Sequence, residues 1–152
     1  LLSTMAALAL LAACESTPDQ SGPASAAGAG AGPRPGSQED LVANVGDRVF
    51  FDFDRYDIRA DQRATLERQA AWLGQHGAVN VQIAGHADER GTREYNLALG
   101  QRRADAARDF LVARGVSSAR ISTISYGKDR PIALGSNEEA WAQNRVAITS
   151  VR

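Results

Sequence analysis

Cysteine is almost missing from this chain. Cys14 is the only one in 152 residues, so no disulfide can form within the molecule. Lysine is as scarce, with Lys128 alone, and 17 basic against 18 acidic side chains leave a net charge of −1. A nucleic-acid binder usually carries a basic stripe, and this balance argues against one. Histidine occurs twice, as His76 and His86. His86 and Asp88 could share one site, but zinc needs three or four ligands, and with His76 at a helix terminus and Cys14 far away near the N-terminus no zinc site is expected. Long apolar runs are lacking too. Residues 1–13, LLSTMAALALLAA, fall short of the roughly 20 residues that a membrane-spanning helix takes. No G-x-S-x-G elbow is present, and the "SYGK" stretch is not a phosphate loop. An EF-hand loop starting at Asp52 would want glycine sixth and glutamate twelfth, where Asp57 and Arg63 stand. The length suits one domain with a modest core.

The short apolar run has the length of a secretory signal core followed by small residues. It starts without methionine or a basic region, and is read as a truncated signal. Leu11, Ala12, Ala13 and Cys14 resemble a bacterial lipobox, in which the thiol receives a diacylglycerol and becomes the mature N-terminus. The plain alternative is an ordinary signal peptide with a chance cysteine. Each buried CH₂ of an acyl chain adds about 0.8 kcal/mol, so several chains anchor stably. Glu15 after the cysteine points to the outer membrane. Residues 15–40 are rich in Gly, Ala, Ser and Pro, with no aromatic or large aliphatic residue. Such a segment cannot offset its ordering entropy and reads as a linker. It would span roughly 25–30 Å on average and about 85–90 Å when taut. The expected organisation is signal over 1–13, lipidated cysteine and linker over 14–43, and a folded domain over 44–152.

Within the domain, "RVFFDFDRYDI" (48–58) opens as a strand, with Val49, Phe51 and Phe53 alternating against Phe50, Asp52 and Asp54. Residues 59–77 are helical, with Leu66, Ala70 and Leu73 on one stripe and Gly74 or Gly77 at the end. Residues 78–86 alternate again through Val79, Val81 and Ile83. The strongest helix covers 94–115 and closes at Gly115. A short strand follows over 119–127. Next comes a helix over 136–144, capped by Ser136 or Asn137 with acidic residues in its first turn. The last strand is 145–152. This β-α-β-α-β-α-β order predicts an α/β (α+β) sandwich, with helices packed on a small mixed four-stranded sheet.

The stretch "GHADERGTREYN" (85–96) gathers most of the candidate chemistry. Asp88 and Glu89 could serve a paired-carboxylate hydrolase, although adjacent residues rarely point into one cleft. In helix 94–115, Leu99, Arg103, Ala106 and Phe110 share a stripe by their spacing. Arg103 then lies on or beside an apolar face, where it needs a partner, and Asn96 lies two turns back on the same face. Arg102 can pair with Asp105 or Asp109 on the outer face, a weak contact. Two readings of Arg103 stand side by side. One is a buried ion pair with Asp88 or another carboxylate. The other is a ligand clamp, since arginine grips a carboxylate through two parallel hydrogen bonds. A nearby aspartate would hold an ammonium, and the two together suit a zwitterion.

The motifs "VFFDFDRYDI", "GHADERGTREYNLALGQRRADA", "ISTISYGKDRP" and "NRVAI" resemble the OmpA-like peptidoglycan-binding domain family over residues 44–151. The lipobox and linker resemble its lipid-anchored branch. The resemblance implies binding rather than catalysis, no cofactor, and a ligand in the diaminopimelate residue of peptidoglycan stem peptides. It assigns ligand contacts to Asp88, Arg103 and Asn96, backbone amides near Phe51 and Asp52, and Arg145. It implies that Asp88→Ala or Arg103→Ala abolishes wall binding with the fold intact. The family commonly carries a second arginine where Val146 stands, so a basic group at the rim is expected to be missing. His86 is expected to be a structural hydrogen-bonder, Gly85 and Gly91 to shape the loop, and Glu89 and Arg90 to sit at the rim. By the same resemblance the domain lies in the periplasm of a Gram-negative bacterium, anchored to the outer membrane. Its partners are peptidoglycan, the β-propeller protein TolB and other Tol proteins, with a part in cell division. A peptidoglycan hydrolase on a related scaffold is the alternative.

Overall fold

Two runs of alternating residues make the centre of a four-stranded sheet. The structure is a computed structural model and describes residues 32–152. The signal expected over 1–13, the expected lipidation site Cys14 and most of the expected linker lie outside the described residues. In β2 (Val81–His86), Val81 and Ile83 are fully buried while Gln82 and Ala84 are half-buried on the other face. β4 (Val146–Val151) pairs antiparallel with both β2 and β1 (Arg48–Phe50). β2 runs parallel to β3 (Ile121–Gly127), giving the order β1-β4-β2-β3. Parallel neighbours need a helical crossover, and helix α3 (Arg93–Ala113) supplies it. The mixed sheet agrees with the fold expected from the sequence.

Helix α2 (Arg63–Gln75) follows a short 3₁₀ turn and buries Leu66, Ala70 and Leu73 as predicted. Helix α3 starts at Thr92, whose hydroxyl accepts from the Tyr95 amide at 3.1 Å. It ends before Gly115, whose φ of 97° is the left-handed conformation that closes helices. Its buried stripe is Leu99, Arg103, Ala104, Ala107 and Leu111. Ala106 and Phe110, predicted for that stripe, are only half-buried, because the helix is rotated about one position toward Ala107 and Leu111. Helix α4 (Glu138–Asn144) is capped by Asn137, which accepts from Ala140 N at 2.9 Å.

Glycine matters most where α3 crosses the sheet. A Cβ on Gly85 would overlap the carbonyl oxygen of Gly100, so α3 and β2 meet backbone to backbone. Gly85 is therefore a packing residue in β2 rather than a shaper of the following loop.

Two expected boundaries move. The linker was read to residue 43, but a short helix α1 (Gln38–Asp40) continues as a wider turn over Leu41–Val45, and Leu41 is fully buried. Ser37 caps this helix by accepting from Asp40 N, and Gln38 accepts from Val151 N at 2.7 Å, tying the segment to the end of β4. The first strand stops at Phe50, although the alternation continues to Asp54, and Phe53 is 55% exposed. The reason lies in the site described next.

Candidate ligand-binding site

Three chain segments meet around a cleft of about 220 Å³. Phe53 and Asp54 come from the loop after β1. Asp88, Arg90 and Gly91 come from the turn between β2 and α3. Tyr95, Asn96, Leu99 and Arg103 come from the first turns of α3. Gly91 adopts φ 99°, a turn that few side chains tolerate, and Asn96 Nδ2 donates to the Arg90 carbonyl at 2.9 Å to hold that turn against the helix. Across the opening, the Tyr95 hydroxyl bonds Asp54, which itself has positive φ.

Arg103 is completely buried. Its Nε donates to Arg55 O at 2.8 Å, Nη1 to His86 O at 2.9 Å and Nη2 to Asp52 O at 3.1 Å. It is not ion-paired with Asp88, as one reading of the sequence had it. Burial pulls its pKa down to about 10, opposed by the charge of Asp88, so it stays charged at neutral pH. Arg145 does similar work one segment away. Its Nε donates to Phe51 O at 2.9 Å and its Nη2 to Glu138 at 2.7 Å. The two arginines thus draw the carbonyls of residues 51, 52 and 55 toward side chains, which ends the ladder of β1 at Phe50. The Phe51 amide is spent on Arg145 O at 2.9 Å and is not free for a ligand, while the carbonyls of Phe51 and Asp52 hold the two arginines.

Asp88 is 4% exposed. Both of its oxygens are engaged by Arg90, Nε to Oδ1 at 3.0 Å and Nη2 to Oδ2 at 2.7 Å, and the Arg90 amide adds a third bond at 3.1 Å. Burial opposes its charge, but these bonds and the charges of Arg90 and Arg145 outweigh burial and hold its pKa below the usual carboxylate value. Arg145 Nη1 lies 3.6 Å from Asp88 and, among the described residues, is the lone buried side-chain polar atom without a hydrogen-bond partner.

Arg90 itself is stacked. Its guanidinium carbon sits 3.8 Å from the Phe53 ring centre and 4.1 Å from that of Trp141. Sequence reasoning placed Arg90 at the rim but missed this sandwich, because Trp141 is remote in the chain and nothing in its spacing points to Arg90. Glu89 turns away from the cleft and accepts from Trp141 Nε1 at 3.0 Å. His86 meets the structural role expected of it: Nδ1 is 3.1 Å from Arg130 O, the ring packs on Tyr126, and burial lowers its pKa. Arg102 does not pair with Asp105 or Asp109. It faces the Tyr56 ring, and Arg108 makes those two ion pairs instead. Val146 is fully buried opposite Phe50, so that position is not at the rim.

The chain belongs to the OmpA family, whose model matches residues 50–145. Within it, the chain is 53% identical to a peptidoglycan-associated lipoprotein of Mesorhizobium japonicum over 97% of this chain and 88% of the relative. It is 56% identical to that of Rhizobium meliloti, covering 91% and 80%. Among solved structures it is similar to the peptidoglycan-associated lipoprotein of Burkholderia pseudomallei, with a TM-score of 0.68 and 45% identity over 70% of this chain and 90% of the other.

Proposed function

We propose that this chain is an outer-membrane lipoprotein that binds peptidoglycan without cleaving it, gripping the diaminopimelate residue of stem peptides in the Asp88–Arg103 cleft. One observation carries the reading: a buried carboxylate and a buried guanidinium line the same small cleft. Carbonyls take three of the five N–H bonds of Arg103, and among the described residues two remain for a ligand carboxylate. Asp88 offers the matching charge to an ammonium. The name of the relatives supports the wall as the ligand's source.

Binding without catalysis is also what the carboxylates support. A hydrolytic acid must hold a proton near neutral pH. Asp88 is kept ionised, and Glu89 faces Trp141. Anchoring through Cys14 would leave the domain tethered beneath the membrane, and a meeting with TolB and other Tol proteins, in a system serving cell division, is part of the same proposal. Arg103→Ala cannot serve as a clean binding variant, contrary to the expectation from sequence, since it removes the partner of three carbonyls.

The test is calorimetric titration of the lipid-free chain carrying Cys14→Ser with a diaminopimelate stem peptide and with its lysine analogue. Binding of the first and not the second supports the proposal. Equal or absent binding overturns it.

A further inference from the structure

Asp88 is the group that should receive the ligand's ammonium, yet Arg90 already occupies both of its oxygens. Arg90 is held there by two rings, Phe53 from the loop after β1 and Trp141 from α4. Phe53, Asp88 and Arg90 all line the cleft, and the Asp88 side chain is only 5% exposed against 31% for Arg90. An incoming cation therefore meets Arg90 before it meets Asp88.

We propose that Arg90 is the specificity-determining residue of this cleft. It serves Asp88 as an internal counter-ion and yields it only to a ligand end bearing both an ammonium and a carboxylate. The ammonium takes Asp88, and the carboxylate lies between the N–H groups left on Arg103 and the freed Arg90 fork. This inference rests on the binding reading above and deepens it.

Charge balance favours that exchange. A lone ammonium that displaces Arg90 gains one ion pair and breaks another, leaving a guanidinium without its carboxylate. A zwitterionic end replaces one internal pair by two intermolecular ones. Arginine suits the part because its planar fork matches a carboxylate and stacks on aromatic faces. The cleft also holds a reserve for the moment of exchange. Arg145 Nη1, unpartnered and 3.6 Å from Asp88, can close on the carboxylate and keep it charged while Arg90 moves.

The experiment compares the lipid-free chain carrying Cys14→Ser with the same chain bearing R90Q. Three probes are titrated: a diaminopimelate stem peptide, the same peptide with the free side-chain carboxylate amidated, and the lysine peptide. The unsubstituted Arg90 chain is expected to prefer the first. R90Q is expected to lose affinity for it and gain affinity for the other two, so that the preference falls by on the order of tenfold or more. Where R90Q does not fold, R90K carries the same test, since it keeps the cation and loses the fork. In a Trp72→Phe background Trp141 is the only indole, and its emission should shift as the stem peptide draws Arg90 from the stack. An unchanged preference in the variant, or an indole unmoved at saturating peptide, overturns the role of Arg90 alone. Absence of binding to the Arg90 chain overturns the binding reading as well.

Discussion

Asp40 and Asp88 are both buried carboxylates, yet they are held in opposite ways. Asp40 accepts from the Asn44 amide at 2.8 Å, the Trp72 indole at 2.9 Å and the Gly36 backbone at 2.9 Å, all neutral donors. Those bonds, Asn44 first, bring its pKa down to about 2. Asp88 is held chiefly by Arg90, a cation on a loop whose side chain is partly open to water. His76 Nε2 lies 4.0 Å from Asp40, too far for a hydrogen bond, so a carboxylate bonded only by uncharged groups of its own core has no bonded cation to exchange and joins α1 to α2. A carboxylate neutralised by a movable cation can trade that cation for another. The first arrangement fixes a fold, and the second suits a binding site.

The largest effect should come from the side of Asp88. Arg103→Ala deletes a buried cation and leaves three carbonyls without their donor. Removing one partner of a buried charged network costs about 3–5 kcal/mol. Urea denaturation should show a loss of that size, and stem-peptide binding should vanish with it. A loss below about 1 kcal/mol would mean that water replaces the guanidinium, and that the cleft floor is not fixed by Arg103.

Asparagine at each aspartate sharpens the contrast. Asp88→Asn keeps the shape and removes the charge, so stem-peptide binding should weaken by about 2–5 kcal/mol, read by calorimetry, while the chain stays folded. Asp40→Asn should leave that affinity within roughly twofold and lower the melting temperature instead, because an amide cannot accept all three neutral donors. A reversed pattern would erase the distinction drawn between the two carboxylates.

Much of this difference was hidden in the sequence, for a physical reason. Alternation showed β2, and spacing showed α3 and put Arg103 on its apolar side, because those signals are local. The early end of β1 was not legible, since the carbonyls of residues 51, 52 and 55 are captured by Arg103 and Arg145 from distant segments. One reading of the sequence paired Asp88 with Arg103 and the other turned it to a ligand, and neither foresaw its bonds to the arginine two residues on. The docked segment before residue 44 was passed over for its composition. Its signal was present: Ser37 with Asp40 three residues later forms a capping pair, with Asp40 reaching back to the Gly36 amide. Leu41 then supplied the apolar anchor.

The smallest expected effect is in acid, and it separates the two sites by their own tryptophans. Asp40 has a folded pKa of about 2, below the roughly 3.9 of an unfolded aspartate. Its stabilising contribution is therefore complete above about pH 4 and is lost as the pH falls through about 2. Trp72 bonds Asp40 directly, so its emission should change in that window. Trp141 bonds Glu89, whose pKa is also lowered, chiefly by bonds from Ser136 and Trp141, and it stacks on the arginine that holds Asp88. With Trp141→Phe the Trp72 signal should be seen alone, and Asp40→Asn should abolish its acid step. If the step survives that substitution, another group loosens α1, and Asp40 is not the residue that fastens this segment to the domain.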